Sequence, residues 1–492
     1  MGAMHIVVAG ESELALRITE ALMNEHDVVL VTSDPNSAAR IEHLDVHVVE
    51  GSASSLATLR EARTEKADFF IAASNSDERN IVGCIAADRL GARRRICVLH
   101  SATDQNLDQL DDVSLASSVD INAVVRPAEH LTAEILRIVK VPGALDVRAF
   151  FDGRVGLLKA LVEEGAEVAR KGLDEVGVPS GIRVVMVHRG VRYFVPSATE
   201  RLEPDDRVIL IGHSRRMVRF ARQQFRSPAH QKEKRRAVIC GGGSVGLGVA
   251  RGLREAGWWV KIIEQSLERC EFLSERLNCL VLQGDGSDID LLREEHVETT
   301  AALIAVTNND EKNLLISLIA KQLGVERIIT RADRAVNERV FDKVGIDVVL
   351  SARGAAVRSV VSDIVNADRD HVAELEHGEL TVLDIALPSH FEPRTLAAAQ
   401  PRHVGAIGAL LRGKKVLYPK DDTELIPGDH VLVVCRTAEV DLTRAHFAGR
   451  VAGPPTLTGL SALSALPPLS PPRLAAPSDE DLLDDADDDG VA

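Results

Sequence analysis

Aromatic residues are scarce in this chain: two tryptophans, two tyrosines and eleven phenylalanines in 492 residues. Its cores must therefore be filled by valine, isoleucine, leucine and alanine, as in parallel sheets buried on both faces. Cysteine is sparse too. Cys84, Cys97, Cys240, Cys270, Cys279 and Cys435 include no Cys-x-x-Cys pair and no cluster with histidine, which excludes a zinc or disulfide framework and reads as small buried hydrophobes in a reducing compartment. No apolar run approaches the roughly 20 residues that span a bilayer. The start of the chain runs directly into a strand pattern without a signal peptide, so a cytoplasmic location is expected. Positive charge is in deficit: 58 Lys and Arg against 74 Asp and Glu give −16, which argues against nucleic acid as a partner. No Asp-x-Asp-x-Asp-Gly calcium loop occurs, and His188, His390 and His403 stand alone without a paired acid. No catalytic residue and no metal ligand set is expected.

What is present centres on Val238-Ile239-Cys240-Gly241-Gly242-Gly243-Ser244-Val245-Gly246. A short apolar run meets Gly-x-Gly-x-x-Gly, a helical pattern follows, and a second apolar run at 260–263 ends on Glu264. This is the dinucleotide fingerprint in its strand–turn–helix–strand context. Gly241 permits the tight turn, Gly243 lets the backbone approach a pyrophosphate, and Gly246 lets helix and strand pack closely. The helix start, with Gly242, Ser244 and Val245, offers backbone N–H groups to phosphate. Glu264, 18 positions past Gly246, can accept both ribose hydroxyls and would repel a 2′-phosphate. NAD(H) or an adenine nucleotide is expected rather than NADP.

The opening His5-Ile6-Val7-Val8-Ala9-Gly10 starts in the same way and then departs. Ser12 and Ala15 replace the second and third glycines, the strand at 28–31 ends on Thr32-Ser33, and a carboxylate arrives only at Asp34. Ser74-Asn75-Ser76-Asp77-Glu78-Arg79-Asn80 answers Thr307-Asn308-Asn309-Asp310-Glu311-Lys312-Asn313, 233 positions later, and Gly51-Ser52 answers Gly284-Asp285. Two prolines eight positions apart recur at Pro196/Pro204 and Pro419/Pro427, each pair leading into a β run. The chain is a tandem duplication of one two-part unit.

The predicted fold class is α/β: two Rossmann-like, doubly wound parallel-sheet domains, each followed by a small α+β domain. The boundaries are 1–140 and 141–225 for the first unit, a polar basic linker at 226–236, and 237–370 and 371–447 for the second. Residues 448–492, rich in Pro, Ala and Ser and then in Asp, are predicted to be disordered. Helices around Pro127–Val139 and Ala352–Val365 pair apolar stripes with small residues and are expected to serve self-association.

These residues resemble the TrkA family, the cytoplasmic nucleotide-binding subunits of bacterial Trk potassium-uptake systems, and more broadly RCK (KTN) domains. The resemblance rests on Gly241 to Gly246, Glu264, Gly284-Asp285-Gly286, 307–313, Thr330-Arg331 and Pro427-Gly428-Asp429, and covers the chain to about residue 445 as TrkA-N plus TrkA-C twice. It implies a regulatory subunit, peripheral at the inner face of the membrane. Its partner would be a membrane-embedded, TrkH/TrkG-like potassium-translocating subunit, gated by a homo-oligomeric (tetrameric) ring of eight domains that responds to ATP, ADP or NAD(H). It also implies that Asp285, after Gly284, meets the adenine amino group, the alternative being a turn aspartate. Thr307 and Asn308 would border the phosphate or ribose crevice, and Arg331 would answer a terminal phosphate. Asp310-Glu311 reads as a cap of the next helix. In the first copy Ser52 replaces Asp285 and Leu99 is aligned with Arg331, so the first unit is expected to be structural, with weak binding through Gly10 and Asp34 as the alternative. Rival functions are an NAD-dependent oxidoreductase and the regulation of another potassium channel or an efflux system.

Overall fold

The computed structural model describes residues 3–448 apart from 42–43, 101–119, 142, 152, 227–234, 366–370, 376–377 and 400–404. Most of the predicted linker, His403 and nearly all of the predicted tail lie outside the described residues.

Each unit begins with a six-stranded, wholly parallel sheet. In the first the strands lie in the order His47–Glu50, Asp27–Thr32, His5–Ala9, Phe69–Ala72, Arg94–Val98 and Ala123–Val125. In the second the order is Leu280–Gln283, Trp259–Glu264, Arg236–Cys240, Ala302–Ala305, Ile328–Arg331 and Val348–Leu350. Every residue of Phe69–Ala72 and Ala302–Ala305 is buried, as short apolar runs covered on both faces must be. The chain winds outward from the central strand first to one side and then to the other. This opens a crevice at the carboxyl ends, where ligands of this fold bind.

Helix starts are set by side-chain caps. Ser76 accepts the Arg79 N–H to open Asp77–Leu90, and Asn309 accepts the Lys312 N–H at 2.6 Å to open Asp310–Gln322. The cap is thus Asn309 and not Asp310-Glu311, because the short amide at the half-in position reaches back to the first turn. Asp310 turns to the following loop, where it accepts the Asp333 N–H at 3.0 Å, the Arg334 N–H at 3.1 Å and the Asn337 amide at 2.9 Å.

Each unit continues into a five-stranded antiparallel sheet. The first has the order Arg192–Phe194, Ile182–Arg189, Arg207–Gly212, Val155–Leu161, Ala144–Phe150. The second, read from its opposite edge, is Lys415–Leu417, Ala406–Arg412, His430–Arg436, Leu380–Ala386, His371–Leu375, the same topology. Each carries the same arginine–aspartate pair, its carboxylate buried and its guanidinium partly exposed. Arg189 donates through Nε and Nη2 to Asp206, and Arg412 does so to Asp429, all four bonds at 2.8 Å. The two sheets stack into one core, with Leu157, Met186 and Ile211 of the first meeting Leu380, Val382 and Leu432 of the second.

The helices expected to serve self-association are used inside the chain. Pro127–Val139 places Leu131, Ile135 and Ile138 in the core of the second parallel domain, while Ala352–Val365 places Ala356, Val360 and Ile364 in the core of the first. Each large domain is completed by a helix of the other. Gly252 makes this fit possible, since a Cβ there would lie 2.4 Å from Leu136 Cδ1. Arg358 and Glu134 join the exchanged helices through bonds of 2.6–3.0 Å.

Candidate nucleotide site

The three fingerprint glycines meet three different demands. Gly241 has φ +110°, and a Cβ there would come within 2.9 Å of the Thr307 backbone nitrogen. A Cβ on Gly246 would lie 2.0 Å from the Gly241 carbonyl oxygen, so helix Ser244–Glu255 touches the strand it follows. Gly243 has φ −64° and open space where its Cβ would stand. It is the N-cap of the helix and supplies no side-chain bond. The first N–H groups of Ser244, Val245 and Gly246 are therefore left for an anion, with the positive end of the helix dipole behind them.

Glu264 closes one side of this turn. Its Oε2 accepts the Gly242 N–H at 2.6 Å and its Oε1 the Ser266 N–H at 2.9 Å. Two residues that the sequence reading did not single out complete the rim. Arg269 donates through Nε to the Gly242 carbonyl at 2.7 Å while lying over Phe272. Lys312 reaches from its helix to Asp285 Oδ2 at 2.9 Å and Gln265 Oε1 at 3.2 Å. The signal for Lys312 was its place in the repeated motif, opposite Arg79 in the first copy. Arg269 had none beyond its position on the helix after Glu264.

Asp285 follows Gly284 beyond the neighbouring strand end. Burial would raise its carboxyl, but hydrogen bonds from the Ser287 hydroxyl, Lys312 and the Ser287 N–H outweigh it and bring it down to about 2. The group is an anion already held by a cation and a turn, so adenine would have to share its lone pairs. On the other side of the central strand, buried Asn313 ties strand ends together: its Oδ1 accepts the Thr307 N–H and hydroxyl, and its amide donates to the Thr307 and Arg331 carbonyls. Asn308 Oδ1 accepts from Arg331 Nη1 at 2.9 Å, and Asp333 Oδ2 accepts from Arg331 Nε and Nη2 at 3.0 and 2.6 Å. The fold thus gathers the glycine turn, Glu264 and Thr307 into direct contact. It sets Asp285 on one flank, and Asn308 with Arg331 on the other. Beneath the turn, Cys240 is enclosed, and its thiol is pushed up to about 12 chiefly by burial.

The first crevice is built from the same parts with different chemistry. Ser12 Oγ accepts the Ala15 N–H at 3.0 Å and donates to the Ala73 carbonyl, so this helix start is capped from within. Asp34 accepts from Asn36 and Ser37 and holds the start of the next helix, which lowers its carboxyl through the Ser37 hydroxyl first. Strand register corrects one alignment: Ala72 pairs Cys97 as Ala305 pairs Thr330, and Asn80 donates to the Val98 carbonyl as Asn313 does to that of Arg331. Val98, not Leu99, stands in the place of Arg331. In either position the first copy lacks the cation.

The whole unit is duplicated, with the helix start left uncapped in one crevice and capped from within in the other, an arrangement of tandem RCK-type domains. Residues 6–127 and 237–352 each match the TrkA-N domain, and residues 157–223 match the TrkA-C domain. The Trk system potassium uptake protein TrkA homolog of Archaeoglobus fulgidus is 30% identical over 446 residues, covering 90% of this chain and 100% of that one. The TrkA of Halomonas elongata is 30% identical over 444 residues, covering 87% and 95%. Among solved structures, the GsuK RCK domain aligns with a TM-score of 0.56 at 21% identity over 91% of this chain and 96% of that one. A GsuK channel bound to NAD aligns with a TM-score of 0.56 at 20% identity, over 91% and 79%. The chain belongs to the family of Trk system potassium uptake protein TrkA.

Proposed function

We propose that this protein is the nucleotide-binding regulatory subunit of a Trk-type potassium uptake system, and that its second unit is the sensor. The observation that carries the reading is the uncapped helix start at Gly243 with open space above it, beside Glu264 at the next strand end. That arrangement suits the pyrophosphate and ribose of NAD(H), ATP or ADP. Membership of the TrkA family supports the transport role, and the NAD carried by a GsuK channel supports the choice of ligand class. No catalytic chemistry is assigned to it. The site residues are Gly241, Gly242, Gly243, Ser244, Val245, Gly246, Glu264, Gly284, Asp285, Thr307, Asn308 and Arg331, with Lys312 and Arg269 added at the rim.

Among the described residues no helix is long and apolar enough to cross a membrane. Membership of the TrkA family supports a subunit that acts at the inner membrane face through a separate TrkH/TrkG-like partner. Self-association into a tetramer would use the outward faces of Asp310–Gln322 and Ala335–Lys343. There Leu315, Leu318, Val336 and Val340 are exposed, Val336 to 74%. Exposed apolar side chains of this kind suit a protein contact.

Ligand would act by shifting populations. Arg331 is held by Asp333, and Asp333 Oδ1 also accepts the N–H of Ala352 at 3.3 Å, at the start of the exchanged helix. The Asp333 carbonyl accepts from Arg17 of the first unit at 3.5 Å. A terminal phosphate that draws Arg331 away would loosen Asp333 and, with it, the join between units. Titration calorimetry with ATP, ADP, NADH and NADPH, on wild type and Gly243→Asp, tests the sensor. Binding lost in the variant and weak for NADPH is expected, and absence of binding to wild type would refute the reading.

A further inference from the structure

The nucleoside half and the phosphate half of the first crevice have parted company. At the phosphate half, the Ser12 hydroxyl occupies the helix start that Gly243 leaves open in the second unit. Glu11 adds a carboxylate to the same turn. Arg79, the counterpart of Lys312, is committed to it at 2.8 Å. An entering phosphate would meet a filled cap, with the nearby Arg79 already engaged by Glu11.

Beside this blocked turn a cleft of ≈ 280 Å³ stays open, lined by Thr32, Ser33, Pro35, Glu50 and Gly51. Its volume is just below the roughly 300–1,000 Å³ of drug-sized ligand sites, on the scale of a nucleoside. The cleft lies where strands Asp27–Thr32 and His47–Glu50 end. Their counterparts end in Glu264 and Gln283. Thr32 pairs Glu50 in register, as Glu264 pairs Gln283. Acid and neutral residue have exchanged places, so the carboxylate is kept but moved one strand outward, about 4.8 Å. Glu50 is exposed at this rim, and its carboxylate has no ion pair among the described residues.

We propose that the first crevice binds a ribonucleoside that carries no phosphate, with Glu50 accepting from the vicinal 2′ and 3′ hydroxyls. This rests on reading the matching crevice of the second unit as a nucleotide site. The two crevices would then report different pools: charged nucleotide in one, uncharged nucleoside in the other.

The test is calorimetry on full-length Gly243→Asp protein, which silences the second site at a position where φ and space accept a side chain. Adenosine is the probe, with 2′,3′-dideoxyadenosine, AMP and ATP beside it. Adenosine should bind one per chain, and the dideoxy analogue, AMP and ATP at least about tenfold more weakly, the scale of one lost charge-assisted hydrogen bond. Glu50→Gln, at the exposed rim, should weaken adenosine about tenfold, while joint Glu11→Gly and Ser12→Gly should tighten AMP. No adenosine binding, ATP as tight as adenosine, or indifference to Glu50→Gln would each overturn the proposal. If wild type binds no ATP while the Glu50-dependent adenosine signal persists, the second-unit reading fails alone.

Discussion

Arg331 Nη2 donates to Asp333 Oδ2 at 2.6 Å, and the same aspartate receives the first N–H of the helix that completes the other unit's core. The candidate phosphate-answering cation is thus already part of the join between units, so a ligand that competed for it would disturb the Asp333 bonds that reach the exchanged helix. On the proposed reading only a ligand that reaches Arg331 would do so, which would separate ATP from ADP by differential affinity. Arg331→Ala should collapse the ratio of ATP to ADP affinities by about tenfold, measured by titration calorimetry. An unchanged ratio would remove Arg331 from the sensing role.

Glycine substitutions should part into opposite classes. Gly243→Asp adds a favoured cap where backbone and space allow it, so the melting temperature should hold or rise by a few tenths of a kcal/mol equivalent while nucleotide binding is lost. Gly241→Ala must accept φ +110° and a 2.9 Å contact with the Thr307 nitrogen, and should cost about 1–3 kcal/mol. Thermal unfolding beside ligand titration separates the two. Equal destabilisation by both would contradict the geometry.

The architecture was legible in the sequence because its signals were local. The glycine turn, the apolar strand before it and the acid after it mark a fold whose strand order follows from right-handed crossovers, and the repeat of 307–313 doubled it. What stayed hidden was set by pairing across distance. Nothing local distinguishes Pro127–Val139 as a helix that enters the other unit's core, since an apolar stripe with small residues suits any neighbour. Lys312 was visible only as a motif member until the fold brought it to Asp285. The alignment of Leu99 with Arg331 missed by one position although the 233-residue spacing of the repeat already leads to Val98, and the Asn80 bond to the Val98 carbonyl agrees with that spacing.

The Asp285–Lys312 pair predicts a pH signature. The folded carboxyl sits at about 2, below the ordinary 3.8, so its stabilisation is fully present above the ordinary value and is lost as pH falls through the folded one. Asp285→Asn should therefore unfold more easily than wild type from about pH 5 to 8, and the gap should close between about pH 4 and 2. Because both side chains are partly exposed, the effect at neutral pH should stay below about 1 kcal/mol. Melting curves across this range check the sign, and a gap that widens with acid would contradict it.

A last prediction concerns the small sheets, where no ligand is proposed. Asp206 is fully buried and Asp429 nearly so, yet their arginine partners are partly exposed. Removing the carboxylate leaves an arginine that water can still reach, but strands the N–H groups of Glu203 and Ile426 that it had accepted. The cost should be about 2–3 kcal/mol for Asp206→Ala or Asp429→Ala, at or below the lower end for a broken buried pair. Arg189→Met leaves the aspartate charged and dry and should cost more than the matching aspartate change. Denaturant titration of the four single variants, Asp206→Ala, Asp429→Ala, Arg189→Met and Arg412→Met, should show the same order in both sheets, since the two pairs share one geometry. A large effect in only one would mean that the two copies of the module differ in what holds them together despite their common topology.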